Sequence, residues 1–116
     1  MLAMNLKANG QFRKVYDKGE KQVGDFAVVF YYRNPDESEG PCFGVVASKR
    51  VGNAVERNRA KRLLREAARS LSGKLNHRDI WIVLVAKSRI KGRTSREVVD
   101  DVGRAMATAG LTSRPS

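Results

Sequence analysis

The chain has 116 residues, 41% apolar and 30% charged, and carries 23 Lys and Arg against 12 Asp and Glu for a net charge of +11. That is enough chain for one core and too little for two, with too much apolar content for a disordered segment. No apolar run approaches the roughly 18 residues of a membrane span, no secretory leader opens the sequence, and the single cysteine, Cys42, excludes an intramolecular disulfide and a cysteine-built zinc site.

Asn9 as N-cap and Gly19 as stop bracket a short helix over Gln11–Lys18, which puts Phe12, Val15 and Tyr16 on one face. Lys21–Val23 can form a short strand, and after Gly24 the β-branched and aromatic segment Phe26–Tyr32 is a longer one. Asn34 to Pro41 is a turn-rich acidic loop. Cys42–Ser48 follows as a strand in which Gly44 admits a close neighbour. Val51-Gly52-Asn53 is a tight turn into a helix from Ala54 to Leu71, closed by Gly73. Asp79–Lys87 is almost continuously apolar, the pattern of a strand covered on both faces. Thr94 and Glu97 match a capping box for a last helix through Thr108, ended by Gly110, with a frayed tail over 111–116. The order describes one domain over residues 1–116, an α/β sandwich of helices on a small sheet, with Cys42–Ser48, the central helix and Asp79–Lys87 as one βαβ crossover.

The charge is concentrated. Residues 1–48 hold six basic and six acidic groups, whereas residues 49–69 hold eight basic against two acidic, a net +6 in 21 residues. At 100° per residue the central helix divides into an apolar side (Ala60, Leu63, Leu64, Ala67, Ala68, Leu71) and an adjoining side with Arg57, Asn58, Lys61, Arg62, Arg65 and Arg69. Lys49 and Arg50 extend this stripe toward the helix N-terminus, where the N–H groups of Gly52 and Asn53 are placed to meet a phosphate. Like charges at i, i+4 cost a helix about a few tenths of a kcal/mol per pair. An ordinary solvated face would interleave Glu with Lys, so the stripe points to a polyanion, and the dominance of arginine suits the bidentate phosphate contacts and stacking of folded RNA. Arg59 and Glu66 lie on the far side: Arg59 either reaches a separate RNA segment or is structural and pairs with an acidic group such as Glu66.

The run Phe43-Gly44-Val45-Val46-Ala47-Ser48-Lys49-Arg50-Val51-Gly52-Asn53-Ala54-Val55-Glu56-Arg57-Asn58-Arg59-Ala60-Lys61-Arg62-Leu63-Leu64-Arg65-Glu66 closely resembles the signature of the bacterial ribonuclease P protein subunit, and the resemblance extends from the Phe12…Tyr16 helix to the last helix. It implies a two-layer α/β (α+β) sandwich in the order αβββαβα with a left-handed βαβ crossover, against the usual right-handed rule. It implies an accessory subunit of an endoribonuclease whose catalytic component is RNA, a monomer within a cytoplasmic ribonucleoprotein that hydrolyses precursor tRNA to remove the 5′ leader. The magnesium ions of that reaction are bound mainly by the RNA and none tightly by the protein; no membrane and no small-molecule substrate is involved. Carried over by position, Lys49, Arg50, Asn53, Arg57, Asn58, Arg59, Lys61, Arg62 and Arg65 contact the catalytic RNA, and Phe12 and Tyr16 line a cleft for the single-stranded leader. Val29 stands where some members of that family carry an aromatic, which weakens the expectation of stacking from its strand; Phe30 and Tyr32 lie on the opposite strand face.

The remaining chemistry is consistent with a protein that is not itself catalytic. His77, the only histidine, is a solvated loop residue, Asp36, Glu37 and Glu39 sit in a loop, and Asp100 and Asp101 are adjacent on a helix, so neither carboxylate set is a rigid two-metal site. Without the resemblance, Phe12 and Tyr16 are plain core. Two rival readings stay open: a structural RNA-binding protein of ribosomal type with no role in cleavage, and a protein-only nuclease using carboxylates and metal.

Overall fold

A computed structural model describes residues 6, 9–33, 35 and 40–112. The elements in chain order are α1 (Asn9–Lys18), β1 (Glu20–Val23), β2 (Ala27–Arg33), β3 (Cys42–Val46), α2 (Ala54–Ser72), β4 (Ile80–Ala86), a 3-10 turn over Ser88–Ile90 and α3 (Ser95–Thr108). The strands form one sheet in the order β1-β2-β4-β3. β2 is antiparallel to both neighbours, whereas β3 and β4 run parallel, with Phe43 opposite Ile82 and Gly44 opposite Val83. The parallel pair is the one joined through α2, as the sequence predicts, and β4 lies inside the sheet, which its unbroken apolar run requires.

Alternation along the strands sorts the side chains between two cores. Ala27, Val29 and Tyr31 of β2, Phe43 of β3 and Ile80, Ile82, Leu84 and Ala86 of β4 face α2 and α3. Their partners are Ala60, Leu63, Leu64, Ala67, Ala68 and Leu71 of α2 and Val98, Val102, Ala105 and Met106 of α3. Each buried Leu or Ile in this layer contributes about 1.5–3 kcal/mol of transfer free energy. On the other face Trp81 and Val83 of β4 and Cys42 of β3 pack with Val15 of α1 and Leu6, joined at the rim by Phe12, Phe30, Tyr32, Val46 and Val85. The α/β sandwich thus places α2 and α3 on one face of the sheet and α1 on the other.

Two local expectations change. Asn9 lies within α1 rather than ahead of it. The tail does not fray at Leu111, whose side chain is fully buried; its N–H donates to Met106 O at 2.9 Å, its carbonyl accepts from Asn76 N–H at 2.8 Å, and Thr112 bridges Leu75. Residues 113–116, and the loop carboxylates Asp36, Glu37 and Glu39, lie outside the described residues. Asp101, a buried carboxylate of α3, accepts the Asp25 and Phe26 N–H groups at 2.7 and 2.9 Å and so ties α3 to the turn between β1 and β2. Gly24 is required beside it, because a Cβ there would stand 2.7 Å from the Asp101 carboxylate.

Candidate nucleic-acid interface

The geometry of α2 follows from its cap. Asn53 Oδ1 accepts the Glu56 N–H at 2.9 Å, and the Glu56 carboxylate returns to accept the Asn53 N–H at 3.0 Å, a complete capping box. Gly52, with φ of +146°, is held in the left-handed region, and its N–H donates to Lys49 O at 3.2 Å. This corrects the expectation that the Gly52 and Asn53 N–H groups are open to a phosphate: both are already donated. The Asn53 oxygen is likewise committed to the cap, which leaves its amide NH2 as the group able to reach a ligand.

With the apolar stripe of α2 buried on the sheet, Asn58, Arg62 and Arg69 stand exposed, and Arg57, Lys61 and Arg65 are half-buried. Their alkyl stems lie along the protein and their charged heads remain available. Lys49 and Arg50 are exposed on the turn from β3 into α2. None of these seven cations forms an ion pair with a described carboxylate; the pairs present join Arg33 to Glu20, Arg93 to Glu97, and Arg104 to Asp25 and Asp101. Asn58, Arg62, Arg65 and Arg69 line a shallow trough along the helix with Val55, Arg59 and Glu66. The positive charge is thus clustered on one surface and uncompensated, the condition for a field that attracts a polyanion.

Arg59 stands apart from the stripe. Its Nη2 donates to the backbone carbonyl of Arg93 at 2.7 Å, ahead of α3. Glu66, considered as its partner, instead accepts from Ser95 Oγ. Of the two alternatives for Arg59, the structure supplies a structural tie, to a carbonyl rather than a carboxylate.

The aromatic residues of α1 lie on the opposite face of the sheet. Phe12 is half-buried against Gly44, and Tyr16, 41% exposed, meets Phe30 edge-on with ring centroids 4.9 Å apart and planes at 85°. Burial raises the Tyr16 phenol above its ordinary pKa. Tyr32 meets the buried Trp81 in a second edge contact, 6.2 Å between centroids. The seam between α1 and the sheet therefore carries aromatic rings from both elements. Val29 is not part of it: the residue is fully buried against α2 and α3, so the side chain at that position does not bear on stacking in the cleft. The strand aromatics that do face α1 are Phe30 and Tyr32, and the period-2 alternation of β2 was the signal that separates them from Val29. The cationic stripe and the aromatic cleft remain two surfaces, on either face of the sheet.

Cys42 is buried in the α1-side core and His77 is exposed in the loop before β4. Among the described residues no three His, Cys, Asp or Glu side chains gather into a metal-ligating group, and no helix is long and apolar enough to cross a membrane.

This small α/β sandwich is the fold of the bacterial ribonuclease P proteins. The ribonuclease P protein of Staphylococcus aureus superposes with a TM-score of 0.82 at 26% identity, covering 96% of this chain and 99% of that one. The Thermotoga maritima protein shares the fold with a TM-score of 0.73, covering 85% and 91% of the two chains. The sequence model of the Ribonuclease P family matches residues 3–110. Among curated relatives, the ribonuclease P protein component of Gluconacetobacter diazotrophicus is 35% identical over 94% of this chain and 93% of its own length, and that of Fusobacterium nucleatum is 42% identical over 72% and 73%. The chain belongs to the ribonuclease P protein family.

Proposed function

We propose that the chain is the accessory protein subunit of a ribonuclease P in which RNA is the catalyst, and that it serves two contacts. The α2 stripe (Arg57, Asn58, Lys61, Arg62 and Arg65, with Lys49, Arg50 and the Asn53 amide) docks on the catalytic RNA. The α1–sheet cleft, through Phe12 and Tyr16, holds the single-stranded 5′ leader of precursor tRNA. The observation that carries the reading is the absence of any described carboxylate partner for these six cations, in a chain whose family acts within a ribonucleoprotein. Bases stack on aromatic rings whatever their sequence, so a cleft walled by Tyr16 and Phe30 suits a leader of variable sequence. Hydrolysis of the phosphodiester belongs to the RNA and its magnesium ions, in the cytoplasm where tRNA precursors are processed; the protein, one copy per holoenzyme, lowers the magnesium requirement by neutralising phosphate repulsion and holding the leader.

Precursor-tRNA cleavage tests this with protein alone, RNA alone and both together at low magnesium. Cleavage by the combination only is expected. Cleavage by the protein alone is the result of a protein nuclease, and an RNA whose activity the protein leaves unchanged is the result of a structural RNA binder.

A further inference from the structure

Five cations fall within ten residues after β4: Lys87, Arg89, Lys91, Arg93 and Arg96, with no acidic residue before Glu97. Two are used within the fold. Lys87 Nζ donates to Gly24 O at 3.1 Å, and Arg93 pairs with Glu97 at 3.3 Å while its guanidinium lies 5.8 Å from the Phe26 ring centroid. The other three, Arg89, Lys91 and Arg96, are exposed and have no ion pair with any described residue. Arg96 stands on the first turn of α3, and Arg89 and Lys91 on the turn before it, which is held by main-chain hydrogen bonds. Ile90 is buried at its centre, the N–H groups of Ile90, Lys91 and Arg93 donate to Lys87, Ser88 and Ile90 carbonyls, and Gly92 takes the left-handed conformation at φ of +78°.

This turn is fastened to α2. Arg59 Nη2 reaches the Arg93 carbonyl at 2.7 Å, and Glu66 accepts from Ser95 two residues further on. Ile90, Lys91 and Gly92 face Glu56, Arg59 and Ala60 across a narrow groove. Arg59 and Glu66 thus mark a seam, with the stripe cations Arg62, Arg65 and Arg69 on one side and the turn on the other. A protein that needed only solubility would not hold a second row of unpaired cations beside the first.

We propose that residues 88–96 form a second phosphate-binding surface for the RNA, continuous with α2, and that Arg59 is the residue that positions it rather than a primary RNA contact. The proposal rests on the reading of α2 as the RNA-binding helix and extends it. A guanidinium bonded to a main-chain carbonyl is not available as a bidentate phosphate fork at that edge, while its planar reach is what spans from α2 to the turn.

Binding to the RNA subunit transcribed from the same genome, measured over a range of monovalent salt, tests it. In R89Q/K91Q/R96Q the slope of log K against log salt becomes shallower by about 2, from three phosphates at roughly 0.7–0.9 each, with the melting temperature unchanged. R59Q flattens the slope by more than its single charge accounts for, and adding R59Q to the triple variant changes the slope further by less than about half of one contact. A triple variant with the parental slope overturns the proposal, and an R59Q effect fully additive with the triple overturns the positioning role of Arg59. If R59Q fails to fold, the triple variant still decides the surface. R57Q/K61Q/R65Q separates this failure from that of the underlying reading: a flattened slope there with none in the turn variant refutes the second surface alone, and no change in either refutes the RNA-binding face.

Discussion

The ring of Phe12 lies directly on Gly44: a Cβ at position 44 would stand 2.6 Å from the ring's Cζ atom. The glycine of β3 is therefore what lets α1 seat its aromatic side chain on the sheet. Gly44→Ala must displace the ring or the helix, and overpacking of this kind costs about 1–3 kcal/mol. The expected result is a lower melting temperature together with weaker holoenzyme binding of leader-bearing precursor tRNA. Unchanged precursor affinity would detach the Phe12 seat from the leader cleft.

Tyr16 meets Phe30 edge-on and keeps 41% of its surface exposed, so removing it should cost more in binding than in folding. A base stacked on such a ring is worth about 1–3 kcal/mol. Tyr16→Ala is expected to weaken precursor-tRNA binding by the holoenzyme about tenfold, leave mature tRNA binding unchanged, and lower the melting temperature modestly. Equal weakening for both tRNAs, or loss of most of the stability, would make Tyr16 a core residue.

Much of this was legible in the sequence. The 3.6-residue period of α2, the Thr94–Glu97 capping box and the apolar run of β4 each depend on neighbours within one element, and each appears where the pattern put it. Gly44 was read as a place of close approach, and the approaching group is Phe12. What was not legible depends on partners far away in the chain. Arg59 finds a carbonyl 34 residues on, Asp101 finds two N–H groups about 75 residues back, and Leu111 is held by Asn76. The face on which α1 packs depends on chain path rather than on amphipathicity, which is why Val29 could be compared with cleft aromatics although it points into the other core. The Asn53 N–H is closed by the Glu56 side chain, a capping box whose Asn53…Glu56 spacing matches that of Thr94…Glu97 and is legible in the sequence, whereas the Gly52 N–H is closed by a turn back to Lys49.

Asp101 anchors the β1–β2 turn through two charge-assisted hydrogen bonds from main-chain N–H groups. Asp101→Ala leaves both donors without that acceptor, and hydrogen bonds to charged groups are worth about 1.5–3 kcal/mol each. Chemical denaturation should show a loss of about 3 kcal/mol or more, with the salt slope of RNA binding unchanged for the protein that remains folded.

Glu97 closes the cap of α3, and its carboxyl is held below the ordinary glutamate range first by the Thr94 N–H, with the Thr94 hydroxyl and Arg93 adding to the effect. A carboxyl with a lowered folded pKa contributes stability that is present above its unfolded value, near 4.5, and is lost as pH falls through the folded one. Melting temperature measured from neutral to acid pH should fall in this window, and Glu97→Gln should be less stable at neutral pH with a shallower acid decline. An identical acid decline in the variant would assign that pH dependence to other carboxylates.

Binding of RNA by the unpaired cations of α2 is read most plainly from the salt dependence of affinity. Each phosphate neutralised contributes roughly −0.7 to −0.9 to the slope of log K against log salt. Replacing Arg57, Lys61 and Arg65 together by Gln removes three such contacts from the cationic side of the helix while leaving its apolar side intact. The account predicts a slope shallower by about 2 with the fold and its melting temperature retained. A folded triple variant that binds the RNA with the parental affinity and the parental slope would contradict it.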